Sequence, residues 1–330
     1  MQKTSEVYER VYHYTTWDGL LGILQTKTLW ATHYKFLNDY LEIVLFRDKL
    51  IFFLLPHVRQ EYEKVIKRSP DNQQKINRAG GLDYACQHDT ELFVDTAYEV
   101  TGKEIYILSF CGEHKDPHIN SNGLLSQWRG YGTGGGFALV FNTHKLEETM
   151  SIECNKYEYG DMFLCDVIYS DDEDKFKKDL SEDLSILADD VKRLYSLYGK
   201  PLNEKEKRDT LKGYYSFVRC ISSYKHCGFS EENEVRIVAL PVVLNQYQEI
   251  LKLASLEGIK LKPEKERKFR KKNDQLVPYI ELFNSIDVEL PIERIIVGPH
   301  KEKETRAAAL RTMLRNTNIE ITCSDIPFVG

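Results

Sequence analysis

The sequence has 330 residues, of which 42% are hydrophobic and 29% charged, and its formal net charge is −6. A chain of this length can bury a full core in one large domain or two smaller ones. The negative charge argues against a protein that coats nucleic acid by bulk electrostatics. The apolar runs are far shorter than the roughly 20 residues of a membrane-spanning helix, so we predict no membrane association.

Seven cysteines without a CxxC pair fit reduced thiols better than a disulfide framework. The charged first residues carry no secretory signal, so we predict a cytoplasmic protein. Cys220, His226 and Cys227 lie close in sequence. Their spacing matches no zinc site, and we predict no metal.

Hydrophobic periods of two and 3.6 residues predict a mixture of strands and helices. The predicted strands span residues 10–15, 28–33, 104–111, 136–142, 162–169, 232–239, 277–283 and 319–323, with a further strand ending before Gly298. The predicted helices span residues 17–26, 39–67, 83–100 and 301–315, with two further charged helices inside 173–222.

Two charged runs interrupt this pattern: residues 260–272 hold eight Lys or Arg, and residues 171–190 are acidic. Such runs are usually solvated faces, and these two could pair with each other. The alternative for the basic run is a docking surface for RNA, DNA or an acidic partner.

A histidine lies in the first predicted strand, directly before the first predicted helix. Because side chains alternate along a strand, His13 shares one face with Val11 and Thr15, while Tyr12 and Tyr14 lie on the other. An isolated strand histidine is most often a hydrogen-bonded structural residue. The alternative is a ligand-binding histidine, since a strand that runs into a capped helix is a typical binding arrangement.

Asn38, Asp39 and Glu42 stand at the start of the long predicted helix. Asn38 is a natural helix cap, and the two carboxylates complement the helix dipole. Alternatively, Asp39 and Glu42 present paired oxygens to a divalent metal, as in a metal nuclease.

The middle of the chain places aromatic and small residues close to two predicted strands. Ser109 lies on one strand, and Trp128 and Tyr131 have a spacing compatible with one helical turn. The two rings would line a pocket or belong to a hydrophobic core. The glycine-rich segment 132–136 lacks the Lys-Ser or Lys-Thr of a P-loop, and we interpret it as a flexible turn.

Glu232, Glu234 and Arg236 share one face of the predicted strand 232–239. Two carboxylates so placed point at the same ligand, where one orients a hydroxyl group and the other assists a nucleophile. The alternative is a solvated sheet face with a weak Glu234–Arg236 pair.

Eight short motifs, taken in order, resemble a widespread bacterial family of domains of unknown function. They are Tyr12-His13-Tyr14-Thr15, Thr28-Leu29-Trp30-Ala31, Asn38-Asp39-x-x-Glu42, Leu108-Ser109-Phe110, Trp128-x-x-Tyr131, Glu232-x-Glu234-x-Arg236, Ile296-Val297-Gly298-Pro299 and Ser324-x-Ile326-Pro327. This family in turn resembles the histidine–tyrosine–glutamate clade of the ADP-ribosyltransferase superfamily. That clade takes a histidine from its first strand, an aromatic residue from the middle and a glutamate from a later strand.

The resemblance implies that NAD is the substrate. His13 would hold a ribose hydroxyl or the adenosine side, Glu234 would stabilise the oxocarbenium-like transition state, and Glu232 would activate the acceptor. The other implied NAD-binding residues are Tyr14, Thr15, Asn38, Ser109, Trp128, Tyr131 and Arg236. Tyr131 is the first choice for the ring that stacks on nicotinamide, and Trp128 and Tyr14 are the alternatives.

We therefore expect an α+β fold of ADP-ribosyltransferase type, with a split mixed sheet and flanking helices. It would form a single domain over residues 1–330, with helical insertions at about 40–100 and 173–222. The expected activity is ADP-ribosyl transfer from NAD to a nucleic acid or protein, as in a bacterial toxin or antiphage effector with a possible antitoxin or defence-system partner. The alternatives are an NAD glycohydrolase and a noncatalytic ligand-binding or sensor module. In this fold His13 and Glu234 should approach from neighbouring strands and face one cavity.

Overall fold

In the computed structural model, the chain adopts an α+β fold with a mixed, largely antiparallel sheet flanked by helices. The structure describes residues 3–37, 40–101, 104–169, 173–196, 204–242, 261–272 and 274–327. The chain divides into two compact units. The first comprises residues 1–36, 104–167 and 228–330, and the second comprises residues 37–103 and 168–227.

The elements are numbered in chain order. The strands are β1 (Arg10–Thr15), β2 (Leu29–His33), β3 (Tyr106–Gly112), β4 (Phe137–Asn142), β5 (Tyr159–Asp166), β6 (Ile168–Tyr169), β7 (Tyr224–Lys225), β8 (Glu234–Pro241), β9 (Lys268–Lys272), β10 (Gln275–Leu282), β11 (Ile292–Val297) and β12 (Glu320–Cys323). The helices are α1 (Thr4–Val7), α2 (Trp17–Thr26), α3 (Tyr40–Arg68), α4 (Pro70–Arg78), α5 (Leu82–Thr101), α6 (Pro117–Asn122), α7 (Leu125–Tyr131), α8 (Thr143–Lys156), α9 (Glu173–Asp179), α10 (Ser181–Ser196), α11 (Glu204–Ser223) and α12 (Lys303–Met313).

The ten-stranded sheet lies in the first unit. Its strands follow the order β12-β11-β4-β1-β3-β2-β10-β9, and β8 pairs with both β3 and β5. The pairing of β11 with β12 is parallel, and the other pairings of this sheet are antiparallel.

The sheet divides at β3. One edge of β3 pairs with β8, whereas the other edge is shared: β1 pairs at Cys111 and Gly112, and β2 pairs at Tyr106 and Ile107. Between these pairings, residues 108–110 have no strand partner on the shared edge among the described residues. The backbone hydrogen bonds of that stretch therefore need other partners.

Each face of the sheet carries its own core. The His13 face is covered by α2, α8 and α12, and its buried side chains include Val11, Leu20, Phe110, Phe137, Leu139, Leu146, Val235 and Leu310. The Tyr14 face is covered by α7, and its buried side chains are Tyr12, Tyr14, Cys111, Leu124, Trp128, Ala138, Val140 and Ile296.

The second unit is helical. In it α3 packs against α5 and α10, α10 packs against α11, and β6 and β7 form a short parallel pair. The rings of Phe46 and Tyr224 contact with centroids 5.6 Å apart. The predicted insertions lie within the two sequence segments of this unit, and the prediction of one transferase-like domain stays a prediction. Within the described part of the chain, we find no helix with the length and apolarity needed to cross a membrane.

The periodicity predicts most elements with ends shifted by a few residues, and α2 has the predicted bounds. The segment 69–81 lies outside the predicted elements but contains α4, because Ser69 accepts a hydrogen bond from the Asp71 amide and Pro70 occupies the first turn of the helix. The prediction also lacked α8 and β9. The sequence of β9 is mostly charged and lacks apolar alternation, so this strand forms because it pairs with β10.

Candidate functional site

The site begins where β1 passes into α2. Thr16 caps this helix, and its side chain accepts a hydrogen bond from the Gly19 amide. Position 19 has to be small, because a Cβ there would stand 2.0 Å from Thr15 Oγ1. The cap therefore fixes the direction in which the first helical residue, Trp17, leaves the sheet.

His13 occupies the gap in the ladder of β3. Its Nδ1 lies 3.1 Å from the backbone oxygen of Ser109, in the stretch that lacks a strand partner. A carbonyl oxygen can only accept, so Nδ1 carries the proton and Nε2 of the neutral ring is left as an acceptor. Burial lowers the pKa of His13, and the ring packs edge-on against Phe110. The histidine thus satisfies a backbone group and keeps a neutral ring in a fixed orientation.

A cleft of about 370 Å³ opens beside this end of the sheet, lined by Trp17, Gly134, Gly136, Phe137 and Arg306. The Trp17 ring lies 4.7 Å from the Phe137 ring and remains 39% exposed. Phe137 pairs with Thr15 and Leu139 pairs with His13, so all of these side chains belong to the His13 face. We name this cavity the Trp17 cleft.

Arg306 supplies the positive charge of the Trp17 cleft. Its Nη1 donates to the Gly134 carbonyl at 2.7 Å, and its Nη2 lies 3.2 Å from His300 Nε2. Among the described residues no carboxylate lies within ion-pair distance of this guanidinium. A cation held in place without a counter-ion, beside an exposed indole ring, is suited to an anionic ligand that carries a flat ring.

The glycine-rich wall of the cleft is tightly packed, which corrects the prediction of a flexible turn. Gly136 has φ +33, and a Cβ there would stand 2.4 Å from Gly132 Cα. Opposite, a Cβ on Gly298 would stand 1.8 Å from the Gly135 oxygen, and the Gly298 amide donates to the Gly136 carbonyl. The glycines let two backbone segments approach too closely for any side chain.

Glu234 lies on the opposite face of the sheet from His13, which contradicts the predicted common cavity. Cys111 pairs with both Tyr12 and Glu234, so these three share the Tyr14 face. His13 follows Tyr12 directly and so points the other way. The prediction fails because alternation sorts the side chains within one strand, whereas the long-range register decides which side chains of neighbouring strands share a face.

Glu234 is also part of a closed buried pair. Arg236 donates from Nε to Glu234 Oε1 at 2.7 Å and from Nη2 to Oε2 at 3.0 Å, and both side chains are only 6% exposed. The bidentate geometry satisfies both carboxylate oxygens. The predicted solvated pair is therefore wrong about exposure, and the carboxylate is not presented to an open cavity.

Glu232 lies outside the strand, because β8 begins only at Glu234. Glu232 ends a 3-10 turn (Cys227–Glu232), and Asn233 between them has φ +46. The chain therefore turns between the two carboxylates, and the strand alternation used for the prediction does not reach Glu232.

Several motif residues instead close the Tyr14 face. Trp128 is 1% exposed, packs edge-on against Tyr14 and donates from Nε1 to the Asn122 oxygen. Tyr14 Oη accepts from the Leu124 amide at 2.8 Å, and Ser324 Oγ donates to the same Asn122 oxygen. The motifs around these residues pack the core of the Tyr14 face. Trp128 and Tyr14 are buried and do not line the Trp17 cleft, and their ligand-binding roles stay predictions.

The remaining predicted residues are dispersed. Tyr131, in the last turn of α7, is 43% exposed but does not line the Trp17 cleft. The Ser109 side chain lies on the Tyr14 face with its pairing partner Arg236. Asn38 and Asp39 lie outside the described residues, and for Glu42 only the backbone, in α3, is described.

Sequence reasoning missed that Trp17 and Arg306 line one cleft. The sequence pattern identifies Trp17 only as the first residue of a helix. The signal for a site is the position of this aromatic residue directly after the helix cap that follows a half-buried strand. Arg306 lies far from it in sequence, in a helix rich in charges. Only the pairing of β4 with β1 and β11 brings these segments together.

Comparison with known proteins finds a family of unknown function. The family model described as "Protein of unknown function (DUF2971)" matches residues 127–237, which include α7, the glycine-rich wall, β4 and the start of β8. Neither the curated proteins nor the solved structures give a significant match. The match covers about a third of the chain.

Proposed function

We propose that this chain binds a dinucleotide in the Trp17 cleft, and that NAD is this ligand. The observation that carries the proposal is the juxtaposition of the exposed Trp17 ring with Arg306, a cation without a carboxylate partner among the described residues. The indole would stack on a base or a nicotinamide ring, and the guanidinium would pair with the pyrophosphate. The volume of about 370 Å³ falls in the range of small-molecule sites.

ADP-ribosyl transfer remains the activity that we propose for the bound NAD. His13 favours it: this residue lies two positions before Thr15 on the same face, at the strand repeat of about 7 Å, and its Nε2 is suited to accept a hydrogen bond from a ribose hydroxyl. Glu234 is not assigned a catalytic role, because its carboxylate is closed by Arg236 on the other face. The acceptor would be a nucleic acid or protein, as in a toxin or antiphage effector.

Calorimetric titration with NAD tests the binding step. We expect Trp17→Ala and Arg306→Gln each to raise Kd by about 10-fold or more, since each removes one stacking or charge-assisted contact. The matched controls are Trp30→Ala, a second half-exposed tryptophan, and Arg311→Gln, an exposed arginine on the same helix. Wild-type protein that binds NAD more weakly than about 1 mM, or controls that lose affinity equally, would overturn the proposal.

The fate of adenine-labelled NAD then separates the activities. Label on a macromolecule from cell extract, with release of nicotinamide, supports a transferase. Free ADP-ribose alone supports a glycohydrolase, and binding without nicotinamide release supports a noncatalytic sensor. His13→Gln should weaken NAD binding in each case if the imidazole contacts the ribose.

A further inference from the structure

We propose that the surface formed by β2, β9 and β10 binds single-stranded nucleic acid. This Trp30 surface, as we name it, comprises Trp30, Arg270, Lys272 and Tyr279. It lies at the β9 end of the sheet order, and its assignment does not depend on the function proposed for the Trp17 cleft.

A stacked guanidinium is the centre of the Trp30 surface. Arg270 Cζ lies 5.3 Å from the ring centroid of Trp30 and 5.8 Å from that of Tyr279, and the two rings lie 4.5 Å apart. The pairing of Thr32 with Tyr279 and of Glu281 with Trp30 puts both rings on one face. Arg270 therefore lies over an aromatic platform, which is a common arrangement for phosphate and base recognition.

Arg270 has unused hydrogen-bonding capacity. Among the described residues its one hydrogen-bond partner is Thr32, at 3.0 Å from Nη2, and no carboxylate lies within ion-pair distance. Its neighbour on the strand differs, since Lys268 pairs with Glu281 at 2.8 Å. A half-buried cation without a counter-ion is costly, so an incoming phosphate would be strongly favoured at Arg270.

The surroundings extend this anion site along a strand. Trp30 is 43% exposed and can stack on a further base, and Lys272, which lies two residues after Arg270 on the same face, extends the positive charge to the end of β9. Basic groups in a row beside an exposed aromatic ring match the backbone and bases of a single strand. An acidic peptide would pair with the basic groups of the Trp30 surface but would gain little from the exposed indole of Trp30.

Fluorescence anisotropy with a labelled oligothymidylate of about 12 nucleotides tests the proposal. We expect Trp30→Ala and Arg270→Ala to weaken binding by about 10-fold, and Trp30→Phe to retain most of the affinity because the ring is kept. Lys272→Glu should lower the salt dependence of binding. Lys145→Glu, an exposed lysine of the same unit, is the control with the same change in charge.

Three results would overturn the proposal. They are no binding at low salt, equal losses for Lys272→Glu and Lys145→Glu, or a polyglutamate peptide that competes as well as the oligonucleotide and is insensitive to Trp30→Ala. If AMP competes as well as the oligonucleotide at equal concentration, the ligand of this surface is a mononucleotide and not a single-stranded nucleic acid. Retained NAD affinity in the Trp30 and Arg270 variants separates this surface from the Trp17 cleft.

Discussion

The two faces of the sheet in the first unit differ in how they use their aromatic and charged residues. On the Tyr14 face, Trp128 is 1% exposed and Glu234 is locked to Arg236. On the His13 face, Trp17 is 39% exposed and Arg306 has no carboxylate partner among the described residues. Residues of the same chemical types therefore form a closed core on one side and an open cleft on the other. Residue type alone does not separate a fold-defining motif from a binding site.

The largest effect that tests this comparison is expected at the two tryptophans. Trp128→Ala should lower the free energy of unfolding by about 3–5 kcal/mol, because it leaves a cavity and breaks the hydrogen bond to Asn122. Trp17→Ala should cost less than about 1 kcal/mol, since its ring is partly solvated. Urea unfolding of both variants measures the difference, and equal losses would show that the Trp17 cleft is part of the core.

The next effect concerns the buried ion pair. Glu234→Gln removes the carboxylate charge that pairs with Arg236 and should destabilise the protein by about 3 kcal/mol. The double variant Glu234→Met with Arg236→Met removes both charges and should recover most of that loss. If the single variant unfolds like wild type while nicotinamide release falls, Glu234 acts in chemistry and the two faces do not divide structure from function.

A smaller effect is expected at Asp166, on the His13 face opposite Val235. Burial raises the pKa of this carboxyl above its ordinary value of 3.8, and Oδ1 has no hydrogen-bond partner among the described residues. The folded state thus holds the proton to higher pH than the unfolded state, so stability falls as pH rises from 3.8 through the raised pKa.

The amide side chain of the Asp166→Asn variant cannot ionise, so this variant does not lose that stability as the pH rises. Its Tm should equal that of wild type near pH 3 and exceed it at pH 7 by an amount on the order of 1 °C. Thermal melts at the two pH values measure this, with Asp174→Asn in the second unit as the control. A gain at pH 3 as large as at pH 7 would mean that the charge of Asp166 is not responsible.

The sequence predicts the local structure of the first unit well and its site poorly, for one physical reason. Alternation and capping are local, so β1, the cap at Thr16 and α2 follow from a few consecutive residues. Face matching is not local: one position of Cys111 in β3 decides that Glu234 joins Tyr12 and not His13. The single turn at Asn233, with φ +46, likewise separates Glu232 from the strand that the pattern extended over it.

The order of strands also bears on how the chain is connected. The first segment of the second unit, 37–103, joins β2 to β3, and its second segment, 168–227, joins β5 to β8. In both cases the joined strands are antiparallel neighbours, paired at His33 with Tyr106 and at Asp166 with Val235. Each segment thus occupies the position of a hairpin loop. Two short turns in place of these segments could connect the same strands. A long segment at the position of a hairpin loop therefore changes little in the sheet that carries it.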